Sequence, residues 1–278
     1  MPLSSLRIGA ALASFWICGS VHAIVLDWSA VTWTPGTLSN SYDVDAGIPG
    51  NDVTVTVSGN TAQLQPEIYS PNPQTPAITT NFQGGLPSPV STLNLALDLT
   101  NQTQAVTITV GFSALYPQGV KNVSFQLFDI DFANASGSNY QDQIRSITAL
   151  SIDGTTLIAP IITISPNNSL SGTGLNQVVN GTATTADLGA GSGGANVTID
   201  FGSAWIKSFT FTYGSGSGTV ADPTYEHIGI YNIDFSTVPE ADTTWVTVLT
   251  CACAVGLASF QRAKKSRRLS TTSKVLEK

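Results

Sequence analysis

Two segments of this chain share a pattern of residues able to hold a hard cation. Phe128-Asp129-Ile130-Asp131-Phe132 and Tyr231-Asn232-Ile233-Asp234-Phe235 both read aromatic, Asx, Ile, Asp, Phe. On a strand, residues i and i+2 project to one face, so Asp129 joins Asp131 and Asn232 joins Asp234. Val123, Phe125 and Leu127 carry the apolar phase before the first pair, whereas Phe128, Ile130 and Phe132 carry it afterwards. A one-residue change of phase marks a bulge or a strand end, and it predicts two carboxylates turned outward at a sheet rim. If the two strand ends are neighbours, like charges face each other at a cost. Ca²⁺ with oxygen ligands would remove that cost, and Asp142 in the adjoining loop could complete the shell. Solvated carboxylates on an outer face are the plainer alternative, because no dense Asp-x-Asp-x-Asp-Gly loop is present.

Other chemistries fail on supply. His227 is the only histidine between residues 24 and 240, and no Gly-x-Ser-x-Gly elbow names a serine for it. It reads as a structural histidine near the start of the last strand. One histidine without a cysteine in that stretch leaves zinc without ligands. Sixteen carboxylates allow many pairs for glycoside hydrolysis, but nothing selects one. The glycine-rich runs 189–194 and 214–218 lack the lysine and following helix of a phosphate cradle and read as loops. The chain therefore reads as non-enzymatic.

Charge is divided sharply. Between Ile24 and Glu240 only Lys121, Arg145 and Lys207 stand against those sixteen carboxylates, a formal balance of −13. Such a surface repels nucleic acid and anionic headgroups.

The elements that must position these residues are strands. Residues 52–58 and 105–111 alternate valine or isoleucine with threonine. Further strands are expected at 123–132, 144–152, 155–158, 161–164, 197–201, 206–213 and 228–235. Asp153-Gly154 signals a type I′ hairpin. Pro66, Pro71, Pro73, Pro76, Pro87 and Pro89 forbid a central strand and predict a long surface loop. The pattern predicts an all-β protein with a single β-sandwich domain, jelly-roll-like, over residues 24–237. Trp28, Trp33 and Trp205, or an exposed tyrosine, could stack on sugar rings, although burial in the core is the ordinary fate of such aromatics. Asn-x-Ser/Thr sequons at Asn122, Asn134 and Asn196 arise readily in a Ser/Thr-rich chain and imply no glycan.

The two ends read as export signals. Arg7, the apolar stretch 8–18 and Val21-His22-Ala23 make a signal peptide over residues 1–23, cut by signal peptidase after Ala23. Cys18 follows Phe15-Trp16-Ile17 rather than the small residues of a lipobox. At the other end, the uncharged run Thr243–Phe260 would span roughly 27 Å as a helix, enough to cross a bilayer core. Trp245 lies at its outer end, and Arg262, Lys264, Lys265, Arg267 and Arg268 hold its inner end in the cytoplasm, followed by a cytoplasmic tail over 269–278. Cys251 and Cys253 lie inside this run as small apolar residues.

Val238-Pro239-Glu240, the span and the basic cluster together resemble a PEP-CTERM sorting signal over residues 238–268. Ala241 stands where that family usually has proline, and ten residues trail the basic cluster. The resemblance implies recognition and cleavage near Pro239-Glu240 by an exosortase, an integral membrane enzyme. It also implies delivery to the surface or the extracellular polysaccharide matrix of a Gram-negative cell. A structural or adhesive role in that matrix follows from the resemblance. A lectin-like carbohydrate-binding module is the alternative, and a secreted glycosidase a more distant one.

Overall fold

The computed structural model describes residues 22–87, 90–135, 138–184 and 193–237. The signal peptide core, the Val238-Pro239-Glu240 motif, the span Thr243–Phe260 and the basic cluster all lie outside the described residues. Among the described residues no helix is long and apolar enough to cross a membrane.

Sixteen strands follow in order among the described residues. They are β1 (His22–Leu26), β2 (Ser39–Tyr42), β3 (Val53–Gly59), β4 (Ala77–Thr79), β5 (Thr92–Leu97), β6 (Ala105–Phe112), β7 (Lys121–Phe128) and β8 (Phe132–Ala135). Then come β9 (Ser138–Ser151), β10 (Leu157–Ile158), β11 (Ile161–Ile164), β12 (Asn168–Ser171), β13 (Val178–Gly181), β14 (Val197–Asp200), β15 (Ile206–Ser215) and β16 (Glu226–Thr237). One sheet runs β11-β14-β7-β16-β5-β4, with β1 also on β16; the other runs β12-β13-β9-β15-β6-β3-β2, with β8 and β10 on β9. The two antiparallel sheets make the expected all-β sandwich.

Alternation explains which face each strand buries. In β3 Val53, Val55 and Val57 are buried, while Thr54 and Thr56 face outward and bond across to Ser41 and Ser39 at 2.8 and 3.0 Å. Threonine pairs continue that outer face, Thr107 with Thr212 at 3.1 Å and Thr148 with Thr210 at 3.3 Å. Between the sheets Phe125 stacks on Phe209 and Phe211, with centroids 4.7 and 5.6 Å apart. Such ring pairs add to what burial alone contributes.

Three expectations need correction. The proline-rich stretch holds no central strand, as expected, but it is not merely a surface loop. It contains the edge strand β4 and lies along β5, with Gln65 N donating to Ala96 O at 3.0 Å. That cover explains why all six residues of β5 are buried. The Asp153-Gly154 turn does close a hairpin, but only Gly154 has positive φ, whereas type I′ needs two such residues. Asp153 instead caps the turn, its carboxylate accepting from Thr155 N, Thr156 N and the Thr156 hydroxyl at 2.7, 2.8 and 2.6 Å. The expected strand 123–132 is two strands, β7 and β8, broken at Asp129. Strands β1, β2, β4, β5, β12 and β13 are not among those the sequence pattern predicts.

One register decides the geometry of the body. β1 pairs with the far end of β16, His22 opposite Thr237. The first and last described residues of the sandwich therefore lie side by side.

Candidate functional site

β7 ends at Phe128 because Asp129 takes φ +65°, a left-handed conformation that aspartate tolerates better than most residues. This turn produces the change of phase seen in the sequence. Its consequence is the opposite of the one expected. The carboxylates turn inward: Asp129 is 6% exposed, Asp131 1% and Asp142 1%. Two acids not singled out from the sequence join them, Glu67 at 1% and Glu226 at 1%. The meeting of four strand termini (the end of β7, the start of β9, the end of β15 and the start of β16) with the 64–76 segment builds this cluster.

Most of these carboxylates engage protein donors. Asp142 accepts from Asp131 N at 2.9 Å and from the Tyr213 hydroxyl at 2.8 Å. Glu67 accepts from Ile68 N at 2.9 Å and from Asn94 Nδ2 at 3.0 Å, and Asn94 Nδ2 also donates to Thr79 at 2.6 Å. His227 Nε2 meets Asp129 Oδ2 at 3.2 Å. Glu226 Oε2 accepts from the Ser215 hydroxyl at 3.1 Å, but its Oε1 is buried without a hydrogen-bond partner.

Burial and mutual repulsion set the proton affinities. Burial first, then the charges of Glu226 and Asp131, hold the Asp142 carboxyl well above its ordinary range. Burial pushes Glu226 up to about 8, although the Ser215 hydroxyl and Arg145 oppose it. Burial pulls His227 down, but the Asp129 hydrogen bond and the charges of Asp129, Glu67 and Asp131 outweigh it and raise the imidazole. Burial and nearby carboxylates raise the hydroxyls of Tyr69, Tyr140 and Tyr213, so these remain donors.

The expected calcium set does not assemble. Asp129, Asp131 and Asp142 come together, whereas Asn232 and Asp234 lie elsewhere. β16 runs antiparallel to β7, so Asp234 sits opposite Ser124, and Asn232 Oδ1 accepts from Trp28 N at 3.1 Å. Two similar strands laid antiparallel put their matching segments at opposite ends. Among the described residues no three His, Cys, Asp or Glu side chains form a group able to hold a metal ion.

The aromatic expectations divide similarly. Trp28 and Trp33 are buried in the core. Trp205 is half-buried, with Lys121 Nζ 5.0 Å from its ring centroid. The half-buried tyrosines Tyr69, Tyr140 and Tyr225 border the acidic cluster instead. Tyr69 and Tyr225 each pack edge-on to His227 with centroids 5.7 Å apart, and the Tyr225 hydroxyl donates to Pro66 O. His227 and Asp129 are the exposed edge of the cluster, at 14% and 8% of their side chains. The arrangement offers ring faces beside polar groups that donate and accept. Asp142 and Glu226 are too deeply buried to reach a polymer.

No family model matches this chain, and no curated protein does. Among solved structures, it is similar to a non-crystalline cellulose specific carbohydrate-binding module, CBM28, at 10% identity and TM-score 0.35, over 64% of this chain and 89% of that one. A carbohydrate-binding module described for specific mannan recognition, TmCBM27, gives 15% identity and TM-score 0.29 over 72% and 99%. The N-terminal domain of the Streptococcus gordonii adhesin Sgo0707 gives 11% and 0.30 over 66% and 42%. These likenesses are distant ones of β-architecture.

Proposed function

We propose that this chain is an exported, non-enzymatic surface or matrix protein whose jelly-roll-like sandwich binds neutral polysaccharide through the Tyr69–Tyr225–His227 face. In this reading, signal peptidase cuts after Ala23, the Thr243–Phe260 helix anchors the chain in the inner membrane, and an exosortase-type enzyme acts near Pro239-Glu240.

The observation that carries it is the placement of that face. β16 begins at Glu226 and His227 and ends at Thr237, the residue opposite His22. Twelve residues of strand extend roughly 35 Å. The face therefore lies at the end of the sandwich away from the paired His22 and Thr237, as suits a tethered binding head. Tyrosine rings supply stacking surface with little rotamer entropy to lose, and the edge of the carboxylate cluster supplies acceptors for sugar hydroxyls. A body with a formal balance of −13 disfavours a polyanion there.

A glycan array probed with the full chain in non-ionic detergent tests this reading. A selective neutral-glycan signal, weakened at least tenfold in Tyr225→Ala, is expected. An array without a selective signal, or a signal indifferent to Tyr225 and Tyr69, returns the protein to a passive structural role.

A further inference from the structure

The end of the sandwich that holds His22 and Thr237 has a different chemistry. Of the body's three cations, Arg145 serves the acidic end, where it moderates Glu226 and donates to Gln143 at 2.5 Å. The other two flank a single bridge, Val120 opposite Ile206, where the starts of β7 and β15 meet. Antiparallel pairing there places Lys121 across from Trp205 and Gly119 across from Lys207. Lys121 lies over the Trp205 ring.

Beside this bridge opens a hollow of about 360 Å³, lined by Phe112, Ser113, Tyr116, Pro117, Gly119 and Lys207 among others. Its size falls at the lower end of small-ligand pockets, roughly 300–1,000 Å³. The Phe112 ring is braced by Phe235, with centroids 5.0 Å apart. The Tyr116 hydroxyl points inward to Asp45 at 3.5 Å, which leaves its ring to the wall. Gly119 has φ +71°, and a Cβ there would lie 2.5 Å from Ile206 O, so the wall at this point must be bare backbone. The charged groups about the hollow are Lys207 and the buried Asp45 and Asp52 beneath Tyr116; the Lys207 ammonium reaches the Asp153-Gly154 turn, 3.7 Å from where a Cβ on Gly154 would lie. The Asp153 carboxylate accepts from Thr155 and Thr156, which fixes its direction along the turn.

We propose that this hollow binds an acidic sugar, a uronate unit of an anionic polysaccharide. The pyranose ring lies on the apolar wall, its hydroxyls meet Ser113, and its carboxylate meets Lys207. A bare inorganic anion would leave the ring wall unused, and a neutral sugar would leave the Lys207 ammonium unused. The site does not depend on the neutral-sugar face at the other end. If both hold, one molecule links two polymers of opposite character, and avidity follows from valence rather than from new contacts.

The test is calorimetric titration of the full chain in non-ionic detergent with trigalacturonate and with its methyl-esterified, uncharged counterpart. Binding of the acid form, at least tenfold weaker for the ester and at least tenfold weaker in Lys207→Glu, is expected. The basic cluster at 262–268 is the same in every variant, so its contribution cancels when variants are compared on the acid form, and that comparison is the deciding one. Tyr225→Ala should leave trigalacturonate binding unchanged while it removes the neutral-glycan signal, which separates the two sites. Equal affinity for acid and ester, or full binding by the Lys121→Glu/Lys207→Glu double variant, overturns the proposal.

Discussion

His227 Nε2 and Asp129 Oδ2 meet at 3.2 Å across the seam where the end of β7 reaches the start of β16. The contact exists because Asp129 leaves the ladder with φ +65° and swings its carboxylate under the neighbouring strand. It places one partial cation among five carboxylates, Glu67, Asp129, Asp131, Asp142 and Glu226. Uncompensated ions in such a site cost several kcal/mol each, so protons must supply what His227 and Arg145 do not. The raised affinities of Asp142, Glu226 and His227 are that supply.

A pH dependence follows, with a definite sign. Glu226 holds its proton up to about 8 when folded, against 4.5 as a free side chain. The folded state thus binds more protons than the unfolded one between those values, and stability falls as pH rises through that window. Asp142 and His227, also raised, act in the same direction. Thermal melts from pH 4 to pH 9 should show the highest Tm near pH 4–5 and a decline toward pH 8. Repulsion in an acidic protein gives the same trend, so Glu226→Gln discriminates: the variant should flatten the decline and melt higher than wild type at pH 8. An unchanged slope in that variant would remove the buried proton from the account.

Calcium should have little effect on the cluster. Asp142 and Glu67 already use both oxygens on protein donors, and Glu226 keeps one oxygen on Ser215. No three acidic or histidine side chains among the described residues form a metal-holding group. Melts at pH 7 with millimolar CaCl₂ and with EDTA should coincide within about 1 °C, whereas one tightly bound ion at a hundredfold excess over its Kd would add about 2.7 kcal/mol. A Tm several degrees higher in calcium would show that the carboxylates regroup around an ion.

The legible parts of this architecture are those written in period two. β3 and β6, with their valines and isoleucines on one face and threonines on the other, follow directly from alternation, and the break at Asp129 is visible as a change of phase. What alternation cannot give is which strands become neighbours. Asp131 and Asp234 hold the same place in the two matching segments, and only the antiparallel β7–β16 register separates them. Nor does alternation reveal a face covered from outside. β5 reads Thr-Leu-Asn-Leu-Ala-Leu, apolar alternating with small or polar residues, yet Asn94 is buried because Glu67 and Thr79 from the proline-rich segment satisfy it. Glu67 and Glu226 are lone acids in their segments, and each becomes significant only through partners distant in sequence.

Gly181 tests how tightly the acidic end is packed. It is the last residue of β13, paired with Asn168 of β12, and its backbone passes directly over that of Asp131. A Cβ at Gly181 would lie 2.0 Å from Asp131 O and 2.6 Å from Asp131 Cα, and no side-chain rotation relieves a clash with backbone. Gly181→Ala must push β13 away from the Asp129–Asp131 turn, which loosens both the Asp131 N–Asp142 Oδ2 bond and the Asn168 Nδ2–Ile130 O bond. Overpacking of this kind costs about 1–3 kcal/mol, and the backbone contact places this substitution toward the upper end. Chemical denaturation should show that loss together with a weaker pH dependence, because an opened cluster lets water stabilise the ionised acids. Gly111→Ala is the control: like Gly181 it lies in a strand without positive φ, but its added Cβ meets nothing within 4 Å, so it changes the residue without the clash. Equal losses in the two variants would mean that replacing a strand glycine as such, not packing over Asp131, sets the cost.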